Sequence, residues 1–223
     1  MAQRHALIVI GGSPPDPRVI DHAGTHHLVI CADSGLHHAV TLGLDPDVVV
    51  GDMDSVHDSV LHRAVADGAV TVVSPTDKDL TDTELAIEHA VTTGVDAITV
   101  VWGGGDRADH VMGVLAAVSS PSLDHLEFVR LWIGGDLMHI ALADRPTRLI
   151  LDESTTVSLL PLAGSAEGVT TSGFRWELSG DTLRGDRARG VSNLTTAPVA
   201  TVSLTDGRLA VIIPHFTSGG LRP

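Results

Sequence analysis

The sequence predicts an α/β fold: a mostly parallel sheet with helices on both faces, followed by a small antiparallel β-sandwich. Three observations carry this. Short runs of β-branched and aliphatic residues recur through the first part of the chain, with helical patterning between them. Beyond roughly residue 145 helical patterning stops, and short period-2 segments such as Thr156-Val157-Ser158-Leu159 alternate with turn residues. The core is expected to be aliphatic, since 43% of the residues are hydrophobic but only 3% are aromatic and none is tyrosine.

Ala6–Ile10 reads as the first strand, and Gly11-Gly12 with Ser13-Pro14-Pro15-Asp16-Pro17 follows it. A Gly-Gly turn lets a phosphate approach main-chain N–H groups, but the prolines remove donors, so this is neither a Walker loop nor a GxGxxG. Leu28–Ala32 is the second strand and runs into Asp33-Ser34-Gly35. Val48-Val49-Val50 is the third, since β-branched residues suit a pleat covered on both faces. Val70–Val73, Ala97–Val101 and Leu126–Ile133 are the fourth to sixth, and helices are expected near 34–42, 57–67, 82–93 and 109–118. Past the short junction Asp144-Arg145-Pro146, strands are expected at Thr155–Leu160, Thr170–Leu178, Ala200–Leu204 and Leu209–Ile213. The expected domains are therefore 1–144 and 145–223.

Among 223 residues, 14 are basic and 28 acidic, a net charge of −14. A general nucleic-acid binder needs a basic face, so that class is excluded. An anionic ligand stays open, because a metal can bridge acidic side chains and phosphate. Cys31 is the sole cysteine, which forbids an intrachain disulfide and suits a reducing compartment; its apolar neighbours give it a buried packing role. The start of the chain enters Leu7-Ile8-Val9-Ile10 directly, and no run approaches a membrane span, so a cytoplasmic protein with no membrane partner is expected. Most of the 13 histidines read as surface residues.

Chemistry concentrates at the carboxyl ends of the early strands. Gly51 ends the valine run, and Asp52-Met53-Asp54-Ser55 follows. Residues i and i+2 share a side of an extended chain, so Asp52 and Asp54 converge, and their repulsion asks for a cation. Hard oxygen ligands of this kind suit Mg²⁺ with phosphate oxygens completing the shell. For an isolated Asp-x-Asp the bland alternative is a polar turn. Acids, however, follow four strands: Asp33, Asp52/Asp54, Asp77/Asp79/Asp82 and Asp106/Asp109. Parallel strands bring their carboxyl ends to one edge, where open α/β sheets bind ligands. Thr81 with Glu84 fits a capping box that opens a helix, Asp82 suits its first turn, and Asp79 precedes the cap and is free to face the cleft. Lys78 offers phosphate a point charge. Arg107, after the flexible Gly103-Gly104-Gly105, offers it a bidentate fork.

These segments, in this order, resemble the motifs of the thiamine pyrophosphokinase family: Ala32-Asp33-Ser34-Gly35, Gly51-Asp52-Met53-Asp54-Ser55, Asp77-Lys78-Asp79-Leu80-Thr81-Asp82-Thr83-Glu84 and Arg107-Ala108-Asp109-His110. Ser158–Leu162, Thr171–Leu178 and Gly190-Val191-Ser192-Asn193 resemble that family's thiamine-binding β-domain. Ser34 stands where the family more often has glycine, and extra residues follow the Gly173 turn.

The resemblance implies transfer of pyrophosphate from ATP to the hydroxyl of thiamine, giving thiamine diphosphate and AMP. It implies Asp52, Asp54 and Asp79 as Mg²⁺ ligands with Asp82 nearby. Asp109 either joins the metal or accepts the hydroxyl proton, and Lys78 and Arg107 offset charge on the transferring group. Asp33, Ser34, Ser55, Thr81 and His110 fall on the ATP side, His110 the weakest of them because a helix-starting histidine is often structural. Ser172, Trp176, Ser192 and Asn193 fall on the thiamine side, Trp176 as a stacking face and Ser192 and Asn193 as hydrogen-bond partners of the aminopyrimidine. A homodimer with sites at the subunit interface is also implied. Two alternatives stand beside this reading: a non-catalytic thiamine or nucleotide sensor, and a pyrophosphokinase for another alcohol.

Overall fold

The structure is a computed structural model describing residues 3–75, 79–105, 107–216 and 220–222, the last three by their backbone. Two compact units divide it: 1–117 with 131–135, and 118–130 with 136–223.

In the first unit, β1 (His5–Ile10), β2 (Leu28–Ala32), β3 (Val48–Gly51), β4 (Val70–Val73) and β5 (Ala97–Trp102) lie close to their expected places. So do the helices α2 (Gly35–Thr41), α3 (Asp58–Ala66), α4 (Asp82–Thr92) and α5 (Ala108–Val118). The sixth strand, β6 (Phe128–Ile133), of which residues 131–133 belong to this unit, starts two residues later than expected. A short α1 (Val19–Ala23) was not foreseen. Five residues after a proline-rich loop give too little periodicity to read.

The strand order is β6-β5-β1-β2-β3-β4, with β5, β1, β2, β3 and β4 all parallel. From β1 the chain steps outward to β4, then crosses back to β5. Right-handed crossovers therefore put α4 on the face opposite α1, α2 and α3. Both faces being covered, β1 is buried along its whole length. His5 is tolerated there because Nε2 meets Thr99 Oγ1 at 2.9 Å and Nδ1 meets the Thr25 carbonyl at 3.0 Å. Cys31 is fully buried as expected, and burial pushes its thiol up to about 12, which leaves it unreactive.

Packing is tight where α2 leaves β2. A Cβ on Gly35 would stand 2.2 Å from the Val9 carbonyl oxygen, so only glycine lets α2 start this close to β1.

The second unit holds 3₁₀ turn Pro121–Leu123, β7 (Asp136–Leu142), β8 (Thr147–Ile150), β9 (Thr156–Ser172), β10 (Asp181–Leu183), β11 (Asn193–Leu194), β12 (Val199–Ser203), β13 (Asp206–Ile213) and β14 (Gly220–Arg222). Its order is β14-β8-β12-β9-β13-β7, with β10 and β11 also on β9, and among the described residues these pairings are antiparallel as expected. Two expected strands differ. Thr155–Leu160 extends into the 17-residue β9, because Ala163, Gly164 and Gly168 take positive φ and bend the strand without ending it. The strand expected over Thr170–Leu178 stops at Ser172, where Gly173 turns at φ 77°.

Gly35→Ala is expected to lower stability by about 2 kcal/mol, the usual scale for overpacking. Thermal melting checks it; an unchanged midpoint would mean that α2 moves away at no cost.

Candidate active site

Main-chain register builds the acidic cluster. Ala32 of β2 pairs with Val50 of β3, so the residues leaving the two strands emerge side by side. The Asp33 N–H donates to the Val50 carbonyl at 2.8 Å, which ties the turn down. Asp33 and Met53 both adopt left-handed φ, at 46° and 66°. Short polar side chains tolerate that region, and the turn at Met53 lets the carboxylates on either side of it converge. As a result Asp33, Asp52 and Asp54 each offer a carboxylate oxygen, all within 4.8 Å of one another.

Asp82, in the first turn of α4, joins them from above β3: a Cβ on Gly51 would lie 3.1 Å from Asp82 Oδ1 and 3.3 Å from Asp33 Cβ. The Ser55 hydroxyl donates to Asp54 Oδ1 at 2.9 Å. Burial raises the Asp33 pKa, and the charges of Asp82 and Asp54 add to this, against the lowering bonds from Ser34 and Ser55. Asp33 Oδ1 is buried with no hydrogen-bond partner. An orphaned carboxylate oxygen beside two more is a donor set that fits a hard divalent cation.

The other expected residues divide. Asp79 is exposed and lies outside the three-acid group, while Asp33, expected on the nucleotide side, lies within it. Lys78, with Asp77, and Asp106 fall outside the described residues. Thr81 makes the expected capping box: its hydroxyl accepts from the Glu84 N–H at 3.2 Å, and its own N–H donates to Glu84 Oε2 at 2.8 Å. Ser34 packs its hydroxyl against Gly11, where an added Cβ would come within 2.4 Å of Oγ.

Arg107 grips Asp109 through two bonds, Nε to Oδ1 at 3.2 Å and Nη2 to Oδ2 at 2.6 Å. That grip, aided by the main chain and charge of His110, holds the Asp109 carboxyl down at about 2. A group so acidic is a poor proton acceptor at neutral pH, so this pairing weighs against Asp109 as the base. His110 is exposed in the first turn of α5.

In the second unit, Phe174 and Leu178 are buried, whereas Trp176 between them is 55% exposed. The Arg175 guanidinium stands 5.0 Å from the centre of its ring. Asn193 is buried and its carboxamide is committed to main chain: Oδ1 accepts from the N–H groups of Trp176 and Leu194 at 3.2 and 2.9 Å, and Nδ2 donates to the Trp176 carbonyl at 2.8 Å. The Oδ1 acceptor expected to meet a ligand is thus used by main chain, and one of the two Nδ2 N–H groups is used by the Trp176 carbonyl. Ser192 sits at φ 60°, exposed, with its N–H on Ser158 Oγ at 3.0 Å, and the Ser172 hydroxyl bonds Thr201 Oγ1 at 2.7 Å.

Comparison with known proteins assigns these two clusters to one lineage. The family model described as thiamin pyrophosphokinase, catalytic domain, matches residues 21–129, and that described as thiamin pyrophosphokinase, vitamin B1 binding domain, matches 146–209. The chain belongs to the thiamin pyrophosphokinase family. Thiamine pyrophosphokinase 1 of Arabidopsis thaliana is 28% identical, over 89% of this chain and 82% of its own. Thiamine pyrophosphokinase of Bacillus subtilis is 23% identical, over 92% of this chain and 96% of its own. Solved thiamin pyrophosphokinases share the fold: the B. subtilis structure superposes with a TM-score of 0.82 at 22% identity, over 96% of this chain and all (100%) of that one. The Candida albicans structure gives 0.76 at 14% identity, over 95% and 89%. The acidic cluster thus lies in the catalytic match and Trp176 with Asn193 in the vitamin B1 binding match.

The raised Asp33 pKa generates a prediction. The folded chain holds this proton more tightly than the unfolded chain, so the group's contribution is full below the ordinary carboxylate range and is lost as pH rises through the raised value. With divalent cations chelated, Asp33→Asn is therefore expected to raise the melting temperature at neutral pH, with the gain shrinking as pH falls. Added Mg²⁺ should stabilise the parent and not the variant. A variant less stable than the parent at neutral pH in chelator would refute the account.

Proposed function

We propose that this chain transfers pyrophosphate from ATP to the hydroxyl of thiamine, releasing AMP and thiamine diphosphate, with Mg²⁺ at the strand-end aspartates. The observation that carries it is the convergence of Asp33, Asp52 and Asp54 within 4.8 Å, with one buried oxygen unpartnered. Bound there, Mg²⁺ would supply charge compensation for the triphosphate. The acceptor's own hydroxyl is the nucleophile, so the protein needs no covalent residue. Its side chains have to orient two substrates and stabilise charge.

Asp33, Asp52 and Asp54 would hold the metal, with Asp82 beside them and Asp79 entering from the segment before α4. Lys78 and Arg107 would face phosphate; Arg107 would reach it by exchanging Asp109 for a phosphoryl oxygen, which its fork can grip in the same way. Residues 1–144 would carry catalysis and 145–223 thiamine recognition. The exposed Trp176 would stack on the cationic or pyrimidine ring, with Ser192 and Ser172 close by. Cytoplasmic residence accords with the lone buried Cys31, and among the described residues no helix is long and apolar enough to cross a membrane.

Incubation with ATP, Mg²⁺ and thiamine tests the reaction through its nucleotide product. AMP with thiamine diphosphate is expected. ADP with thiamine monophosphate would mean attack at the wrong phosphorus, and tight thiamine binding without turnover would favour a sensor. Asp52→Asn should abolish turnover while the fold survives, since losing a metal ligand costs several kcal/mol, roughly 10³-fold, of transition-state stabilisation.

A homodimer whose sites draw on both subunits is part of the same reading. Asp52→Asn and Trp176→Ala subunits, each inactive at low thiamine, are mixed under conditions that exchange partners. Shared sites restore activity, because one site per mixed dimer then carries neither lesion. Proven exchange without recovery excludes sharing.

A further inference from the structure

We infer that Asn193 is a positioning residue: its carboxamide fixes the main chain of Trp176 and so presents the exposed indole as a rigid platform. The inference rests on thiamine as the ligand of that platform.

Exposing an indole to water forgoes the stabilisation that burying it would bring, so the folded chain gains little from the ring itself. Yet the segment carrying it is anchored at nearly every residue. Gly173 donates its N–H to Glu177 Oε1 at 2.8 Å, and its carbonyl accepts from Thr196 N–H at 2.8 Å. Phe174 forms a bridge to Thr195, and the Arg175 N–H donates to the Leu194 carbonyl at 2.8 Å. The Leu178 N–H donates to Thr171 Oγ1 at 2.9 Å. Trp176 itself has no main-chain partner in this network. Its N–H and its carbonyl are both taken by Asn193, whose carboxamide offers one acceptor and one donor at the fixed spacing that closes the ring.

The clamp is dry and fixed. Asn193 is only 7% exposed, stands on β11, and bonds the Leu194 N–H with the same oxygen. Both lone pairs of Oδ1 are thereby used, so the amide has no acceptor left for a pyrimidine amine. The Arg175 guanidinium stands over the Trp176 ring at 5.0 Å. The Asn193 clamp on the main chain and the guanidinium over the ring together restrict the indole before a ligand arrives. Pre-organisation of this kind shows as affinity for the stacked substrate.

A double-mutant cycle with a spectroscopic partner tests this. Asn193→Ala is expected to raise the thiamine KM about tenfold, the scale of two lost hydrogen bonds, and far more than the ATP KM. In the Trp176→Ala background, Asn193→Ala should add nothing to the thiamine KM, because its effect passes through the ring. Additive losses would show that Asn193 touches the substrate itself and would overturn the inference. Trp102 and Trp132 are 2% and 3% exposed, so the iodide-quenchable part of the tryptophan emission reports Trp176. That component should lose anisotropy faster in Asn193→Ala than in the parent; equal decay would also overturn the inference. Asn193→Asp, which keeps the acceptor and loses the donor, carries the same measurements if the alanine variant does not fold. If the parent neither binds nor turns over thiamine, the functional reading fails, while the anisotropy still decides the clamp.

Discussion

Three carboxylates held within 4.8 Å of one another repel, and the first unit is arranged so that they stay together regardless. Each is fixed by covalent and main-chain geometry. Two stand on the turn that leaves β3, and the third leaves the neighbouring strand in register with it. Left-handed backbone at Asp33 and Met53 supplies the sharp direction changes, and Gly51 leaves room for Asp82 to lean in. A helix would lose such a contest, because its ends fray. A parallel strand bonded on both sides does not fray, which is a physical reason for acids to sit at strand ends when charge has to be stored.

The second unit meets an opposite demand. Where the first concentrates charge on a stiff edge, the second presents an apolar ring to water and prevents it from collapsing inward. Phe174 and Leu178 sink into the core on either side of Trp176, and the bend after Ser172 turns the intervening residue outward. Straight strand alternation would have placed all three on one face.

That contrast marks what the sequence reveals. Parallel strands buried on both faces leave long aliphatic runs, so Leu28–Ala32 and the valines before Gly51 are readable residue by residue, while the edge strand Val70–Val73 is readable from its β-branched residues although it is largely exposed. The Thr81–Glu84 capping box is readable because it is a contact over three residues. Asp33 joining Asp52 and Asp54 depends on β2 lying beside β3, a long-range fact that follows from chain order once the sheet is assumed. The pairing of Asn193 with Trp176 spans 17 residues and turns on a bend that alternation hides, so nothing local in the sequence says that its amide oxygen serves the main chain. Likewise the run from Leu162 to Gly168 carries turn residues, and nothing local says that they curve a continuing strand.

The same strand sets the order in which the second unit can assemble. β9 bonds β10, β11, β12 and β13, and all four follow it along the chain, the last ending at Ile213. Every strand of the first unit precedes β9 in the chain, whereas β13 follows it and pairs Ile212 back to Ser158 near its start, a closure that waits until the end of the second unit has been made. During synthesis the first unit can therefore gather its sheet while β9, bent and apolar, still waits for partners. For that interval its unsatisfied edges are open to association with a neighbour.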